Sequence, residues 1–139
     1  MRQARRLTRP TVQLKRAYEP AARSDGYRVL VDRLWPRGIT KRALALDVWA
    51  KDLAPSAELR RWFGHDPGRW TEFVGRYRRE LRAPAARDVL DDLARRAATG
   101  RVTLVYGARD ERHNGAVVVG GQIGRRLRRV LRSARRRAA

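Results

Sequence analysis

Polar and apolar positions alternate along Thr11–Tyr18, with Val12, Leu14 and Ala17 apolar, and the two-residue period predicts a strand. Glu19-Pro20 and Ser24-Asp25-Gly26 carry turn chemistry. Tyr27–Leu34 opens with the short apolar run Val29-Leu30-Val31, which suits a strand buried on both faces. Pro36 and Gly38 break the chain into a loop, and Thr40 is placed to cap a short helical turn through Leu44 and Leu46. Trp49, Leu53 and Pro55 suit a packed irregular segment.

The period then changes to that of a helix. Ser56 is a good N-cap, Leu59, Trp62 and Phe63 share one helical face, and Gly64 ends the element. Asp66 and Pro67 restart a helix in which Trp70, Phe73, Val74, Tyr77 and Leu81 form an amphipathic stripe. Pro84 opens a third helix, buried along Val89, Leu90, Leu93 and Ala97 and ended by Gly100. Val102–Tyr106 is nearly all apolar and β-branched, the signature of a central parallel strand. For Ala116–Leu131 the signals conflict. Ala116, Val119, Ile123, Leu127 and Val130 fit a helix face, whereas Val117–Val119 favour a strand, and the preceding Gly115 with Gly120, Gly121 and Gly124 weakens a helix. A helix is the reading adopted, because a helix after a buried strand completes an α/β layer.

The expected fold is therefore a single α/β domain with a small, mostly parallel sheet flanked by helices. Residues 1–10 are expected to be a disordered basic arm, residues 11–127 the domain, and residues 128–139 an Arg/Ala-rich basic tail. A chain of 139 residues is long enough to bury a core of its own.

Composition narrows the chemistry. With no cysteine, disulfide scaffolds, thiol catalysis and cysteine zinc sites are excluded, and two histidines, His65 and His113, do not make a multi-histidine metal site. No metal and no cofactor is expected. There is no membrane-length apolar run and no apolar stretch behind the N-terminal arginines, so the expected setting is cytoplasmic, with no membrane partner. The net charge is +20, from 34 basic and 14 acidic residues. Residues 1–16 and 125–139 contain no acid and carry 14 of those charges between them. Such ends bind polyanions through counterion release, so non-specific nucleic acid is one candidate partner, contacted by Arg125, Arg126, Arg128, Arg129 and Arg132. The same Arg/Ala bias also follows from GC-rich coding alone. No zinc finger, aromatic ribonucleoprotein motif or helix-turn-helix accompanies it.

Two polar segments follow the two apolar strands. Asp32-Arg33-Leu34-Trp35-Pro36-Arg37-Gly38 follows the first, and Tyr106–Asn114 follows Val102–Val105. If the strands are parallel, both loops emerge at one sheet edge, where open α/β sheets bind ligands. Arg33, Arg37 and Arg109 would there neutralise an anion, with Tyr106 and Asn114 orienting it and Trp35 covering an apolar or base moiety. His113 is placed to move a proton, with Asp110 as its orienting partner. Each residue also has a plain role: Arg33 paired with Asp32, Trp35 in the core, Tyr106 closing a strand, Arg109–Arg112 a solvated turn, and Asp110 or Asn114 a helix cap. Phosphate-loop, nucleophile-elbow and zinc-protease motifs are absent, and Gly120-Gly121-Gln122-Ile123-Gly124 has the wrong spacing for a dinucleotide loop.

The run Ser24-Asp25-Gly26-Tyr27-Arg28-Val29-Leu30-Val31-Asp32-Arg33-Leu34-Trp35-Pro36-Arg37-Gly38 resembles the YeaO-like family of small uncharacterised bacterial proteins. The pattern continues through Leu44–Trp49, Leu53-Ala54-Pro55-Ser56, Leu59-Arg60 and Trp62-Phe63, and returns in Phe73, Tyr77 and Glu80-Leu81. It closes on Leu104–Asp110 and His113–Ala116, so it covers about Thr11 to Leu127. The resemblance implies an α/β fold and no established activity. The ends of this chain are more basic than the family pattern requires. The sequence thus favours recognition of a phosphorylated or nucleotide-like anion at the sheet edge, with nucleic-acid binding through the arms as the alternative, and it names no reaction.

Overall fold

A computed structural model describes residues 11–139; the expected N-terminal arm, residues 1–10, lies outside the described residues. The strands are β1 (Val12–Arg16), β2 (Tyr27–Leu30), β3 (Val48–Trp49) and β4 (Val102–Tyr106). The helices are α1 (Lys41–Leu44), α2 (Ala57–Phe63), α3 (Trp70–Glu80), α4 (Pro84–Thr99) and α5 (Gly115–Ala138). The sheet order is β1-β4-β2-β3 and every pairing is parallel. β4, expected to be a central strand, is central, and so is β2, expected to be buried on both faces. The short edge strand β3 falls in the segment read as irregular, because two residues are too few for any periodicity to register.

The sheet's two faces differ, and period two explains how. Leu14, Leu104, Val29 and Val48 align in register across all four strands. They point into the main core with Tyr77, Leu90, Leu93, Val119 and Ile123 from α3, α4 and α5. Each fully buried Leu or Ile there contributes about 2 kcal/mol through removal of apolar surface from water. The alternate residues face the other way. Leu30 and Val105 meet Ala17 and Leu44 in a small second cluster, flanked by Trp35 and Trp49. The amino-terminal half of that face is polar: buried Asp25 accepts from Arg28 Nη1 at 2.7 Å, Lys15 Nζ at 3.1 Å and Gln13 Nε2 at 3.0 Å.

The helix ends behave as the sequence indicates. The Ser56 hydroxyl accepts from Leu59 N at 3.1 Å, and Asn114 Oδ1 accepts from Val117 N at 3.2 Å. Asp66 and Pro67 open a single 3-10 turn, Pro67–Arg69, that leads into α3. The conflicting segment after β4 is a helix despite its glycines, since Ala116, Val118, Val119 and Ile123 are buried on one side of it. α5 continues through the stretch expected as a basic tail and ends at Ala138, with residues 131–139 exposed. No helix among the described residues is long and apolar enough to cross a membrane.

Candidate functional site at the carboxyl edge

β2 and β4 are neighbours, and their following segments leave for opposite faces of the sheet. After β2 the chain runs to α1, whose Leu44 joins the second cluster; after β4 it enters α5 on the main-core face. The divergence opens a crevice between the carboxyl ends of two adjacent parallel strands, the usual ligand position in such sheets. A cavity of about 280 Å3 lies there.

Its polar lining includes Asp32, Arg33 and Arg37 from the loop after β2, Arg60 and His65 from the end of α2, and His113 and Asn114 from the loop before α5. Phe63, Phe73, Trp35 and Pro55 supply apolar wall. Tyr18 and Leu34, two of the three exposed large apolar residues among those described, line it too. The loops are held from below. Trp35 Nε1 donates to Ile39 O, and Trp49 Nε1 donates to Asp32 O at 2.8 Å. Arg16 Nε donates to Ala108 O at 2.8 Å, which fixes the second loop from β1. Trp35 and Trp49 meet edge to face with centroids 5.5 Å apart.

Asp32 is the carboxylate of the cavity. Its Oδ2 accepts from Gly107 N at 2.8 Å, and no other protein donor reaches it among the described residues. Burial pushes its carboxyl above the usual 3.8, with the Gly107 bond and the nearby His65 opposing. The ion pair that adjacency allows with Arg33 does not form: none of Arg33, Arg37 and Arg60 pairs with a carboxylate among the described residues. Three exposed guanidinium groups therefore border an apolar hollow with one poorly neutralised carboxyl inside.

The anticipated residues divide. Arg33, Trp35, Arg37, His113 and Asn114 line the cavity, whereas Tyr106 and Arg109 do not. Tyr106 is 3% exposed and closes the main core at the end of β4, and Arg109 is exposed on the outer turn. Asn114 is occupied as the cap of α5, and its Nδ2 donates to Asp110 O at 2.9 Å. Asp110 does sit against His113: its Oδ2 is 2.8 Å from His113 Nδ1, and its Oδ1 accepts from Arg112 N at 2.9 Å and His113 N at 3.1 Å. The backbone bond from Arg112 leads the causes that hold the Asp110 carboxyl below the usual range, and His113 adds to it. With Nδ1 engaged and the ring edge-on to Trp70 at 5.2 Å, His113 is fixed in orientation, and Nε2 is its remaining polar atom.

Arg60 and His65 escape a reading of the sequence because both sit at a helix end that looks like plain surface. The one sequence signal for Asp32 is its place directly after a buried strand. Of the anticipated nucleic-acid contacts, Arg125, Arg126 and Arg129 share a second cleft with Arg78, Arg82 and Arg87; Arg128 lines a separate apolar groove. No cluster of metal-ligating side chains is found among the described residues.

Comparison with known proteins agrees with the family resemblance. The chain is 44% identical over 109 residues to the uncharacterized protein YeaO of Escherichia coli K12, covering 78% of this chain and 92% of that one. It is 47% identical over 92 residues to the uncharacterized protein Rv3073c of Mycobacterium tuberculosis H37Rv, covering 66% and 78%. No solved structure matches the chain. Residues 11–138 match the family model described as the inactive DUF488-N3 subclade, and the chain belongs to that YeaO-like family.

Proposed function

We propose that the protein binds a small phosphorylated or nucleotide-like anion in the carboxyl-edge cavity. The observation that carries this reading is the pairing of unlike chemistries in one hollow. Arg33, Arg37 and Arg60 stand at its border without carboxylate partners, and Asp32 sits deeper with spare acceptor capacity. A simple inorganic anion uses the guanidinium groups and gains nothing from Asp32. A ligand with a phosphate at one end and hydroxyl or N–H donors at the other uses both, since guanidinium forks suit phosphate and a carboxylate suits sugar hydroxyls or a base edge. Phe63, Phe73 and Trp35 then cover its apolar body. A cavity of about 280 Å3 is at the small end for ligand sites, which favours one phosphate and one ring over a dinucleotide.

The reading is of binding. The description of the matched family model as inactive supports it over turnover, and the fixed His113–Asp110 pair then serves to orient the ligand. The test is a thermal-shift screen against nucleotides, sugar phosphates and small dianions. A true ligand raises the melting temperature of the native chain. Arg33→Ala and Arg37→Ala are expected to abolish that rise while leaving the unliganded melt unchanged. A rise that persists in both variants refutes the reading.

A further inference from the structure

We infer that a second, separate site, the arginine cleft between α3, α4 and α5, grips the phosphodiester backbone of a nucleic-acid duplex. The cleft has a volume of about 330 Å3 and shares no lining residue with the carboxyl-edge cavity. Arg78 of α3, Arg82 of the following turn, Arg87 of α4 and Arg125, Arg126 and Arg129 of α5 converge on it. Some surface arginines pair with a carboxylate, as Arg76 does with Glu72 and Arg96 with Asp92 at 2.9 Å. In the cleft only Arg126 does so, with Asp91 at 2.8 Å, and the other five have no carboxylate partner among the described residues.

The size of the charge selects the ligand. Five unpaired guanidinium groups lining a cleft of about 330 Å3 exceed what one phosphate dianion neutralises. A row of closely spaced phosphates meets the need, and duplex DNA carries about one charge per 1.7 Å of its axis. The lining contains no aromatic residue, so unstacked bases gain nothing there, and a duplex held by its backbone is favoured over a single strand. Its one large apolar residue, Leu81, is 3% exposed, so the cleft offers nothing to insert into a lipid surface. The groups arise from three helices of the folded core, and at helical spacing Arg132 and Arg136 extend the α5 row beyond the cleft. Binding is thus a property of the domain and is independent of sequence in the nucleic acid.

The experiment is fluorescence anisotropy of the full chain with short DNA and RNA duplexes, the matching single strands, and vesicles of anionic phospholipid, each over a range of salt. The duplex is expected to bind more tightly than the single strand, and the DNA and RNA arms identify the source. The triple variant Arg78→Gln, Arg82→Gln, Arg87→Gln is expected to bind more than about tenfold more weakly, with a slope of log affinity against log salt shallower by about three. The corresponding lysine triple keeps the slope. Arg23→Gln, Arg42→Gln and Arg61→Gln remove equal charge from exposed positions elsewhere and change affinity by less than about threefold. All six positions are exposed, so melting temperatures stay close to that of the native chain. Equal losses in the two glutamine triples, tighter binding to vesicles or single strands than to duplexes, or no duplex binding overturns the inference.

Discussion

Asp25 and Asp32 flank the same strand, β2, and their fates are opposite. Asp25, at the amino edge, is 1% exposed and saturated: Lys15, Arg28, Gln13 and the Ala22 N–H all donate to it. Burial alone would raise its carboxyl, yet those donors outweigh burial and hold it below 3.8. Asp32, at the carboxyl edge, keeps one donor, Gly107 N, and there burial wins. A carboxylate enclosed by cations is a structural clamp. One left short of donors beside unpaired arginines has capacity to spare for a ligand.

The largest effect is expected at the closed edge. Asp25→Ala leaves the Arg28 guanidinium, bonded otherwise to Leu44 O at 3.0 and 2.8 Å, buried without its counter-charge. A loss of about 4 kcal/mol in denaturant unfolding is expected. A loss under about 1 kcal/mol would mean that the clamp holds nothing. The opposite sign is expected at the open edge. Asp32→Asn keeps an acceptor for Gly107 N and removes a charge that burial disfavours, so it stabilises at neutral pH by about 1 kcal/mol, while ligand binding falls.

The pH dependences separate the two edges further. The folded-state shift of Asp25 is downward, so its contribution is present above 3.8 and is lost as pH falls below that value. The shift of Asp32 is upward, so the folded state holds its proton longer, and stability declines as pH rises through the range above 3.8. Asp32→Asn is expected to erase that decline and leave the acid limb intact, as read from unfolding free energy against pH. The smallest effect belongs to the exposed border: Arg33→Ala and Arg37→Ala should each change stability by less than about 0.5 kcal/mol. If either unfolds the protein, it is part of the framework and not of a ligand site.

The two edges also differ in how much of them the sequence disclosed. The central strands, the order of the longer elements and the caps Ser56 and Asn114 were legible, because burial on both faces and N-cap chemistry leave local marks. The carboxyl-edge cavity was legible as two loops, since polar segments directly after buried strands are local marks too. Its lining was legible only in part. Arg109 and Tyr106 belong to the right loop but sit outside the cavity, because the turn after β4 directs Arg109 to solvent and the strand pleat directs Tyr106 into the core. Arg60 and His65 reach the cavity by the packing of α2, which no local pattern encodes. The arginine cleft was hidden for the same reason: Arg78, Arg82 and Arg87 stand far in the chain from Arg125–Arg129, and only the docking of three helices brings them together.

The most direct measurement is the titration of side-chain carboxyl carbon resonances of both aspartates, by NMR, without and with a nucleotide or sugar phosphate from the thermal-shift screen. Asp25 is expected to titrate below 3.8 and Asp32 above it, and the ligand is expected to move the Asp32 midpoint alone. Midpoints in the reverse order, or a ligand response at Asp25 with none at Asp32, would contradict the assignment of the closed edge to structure and the open edge to binding.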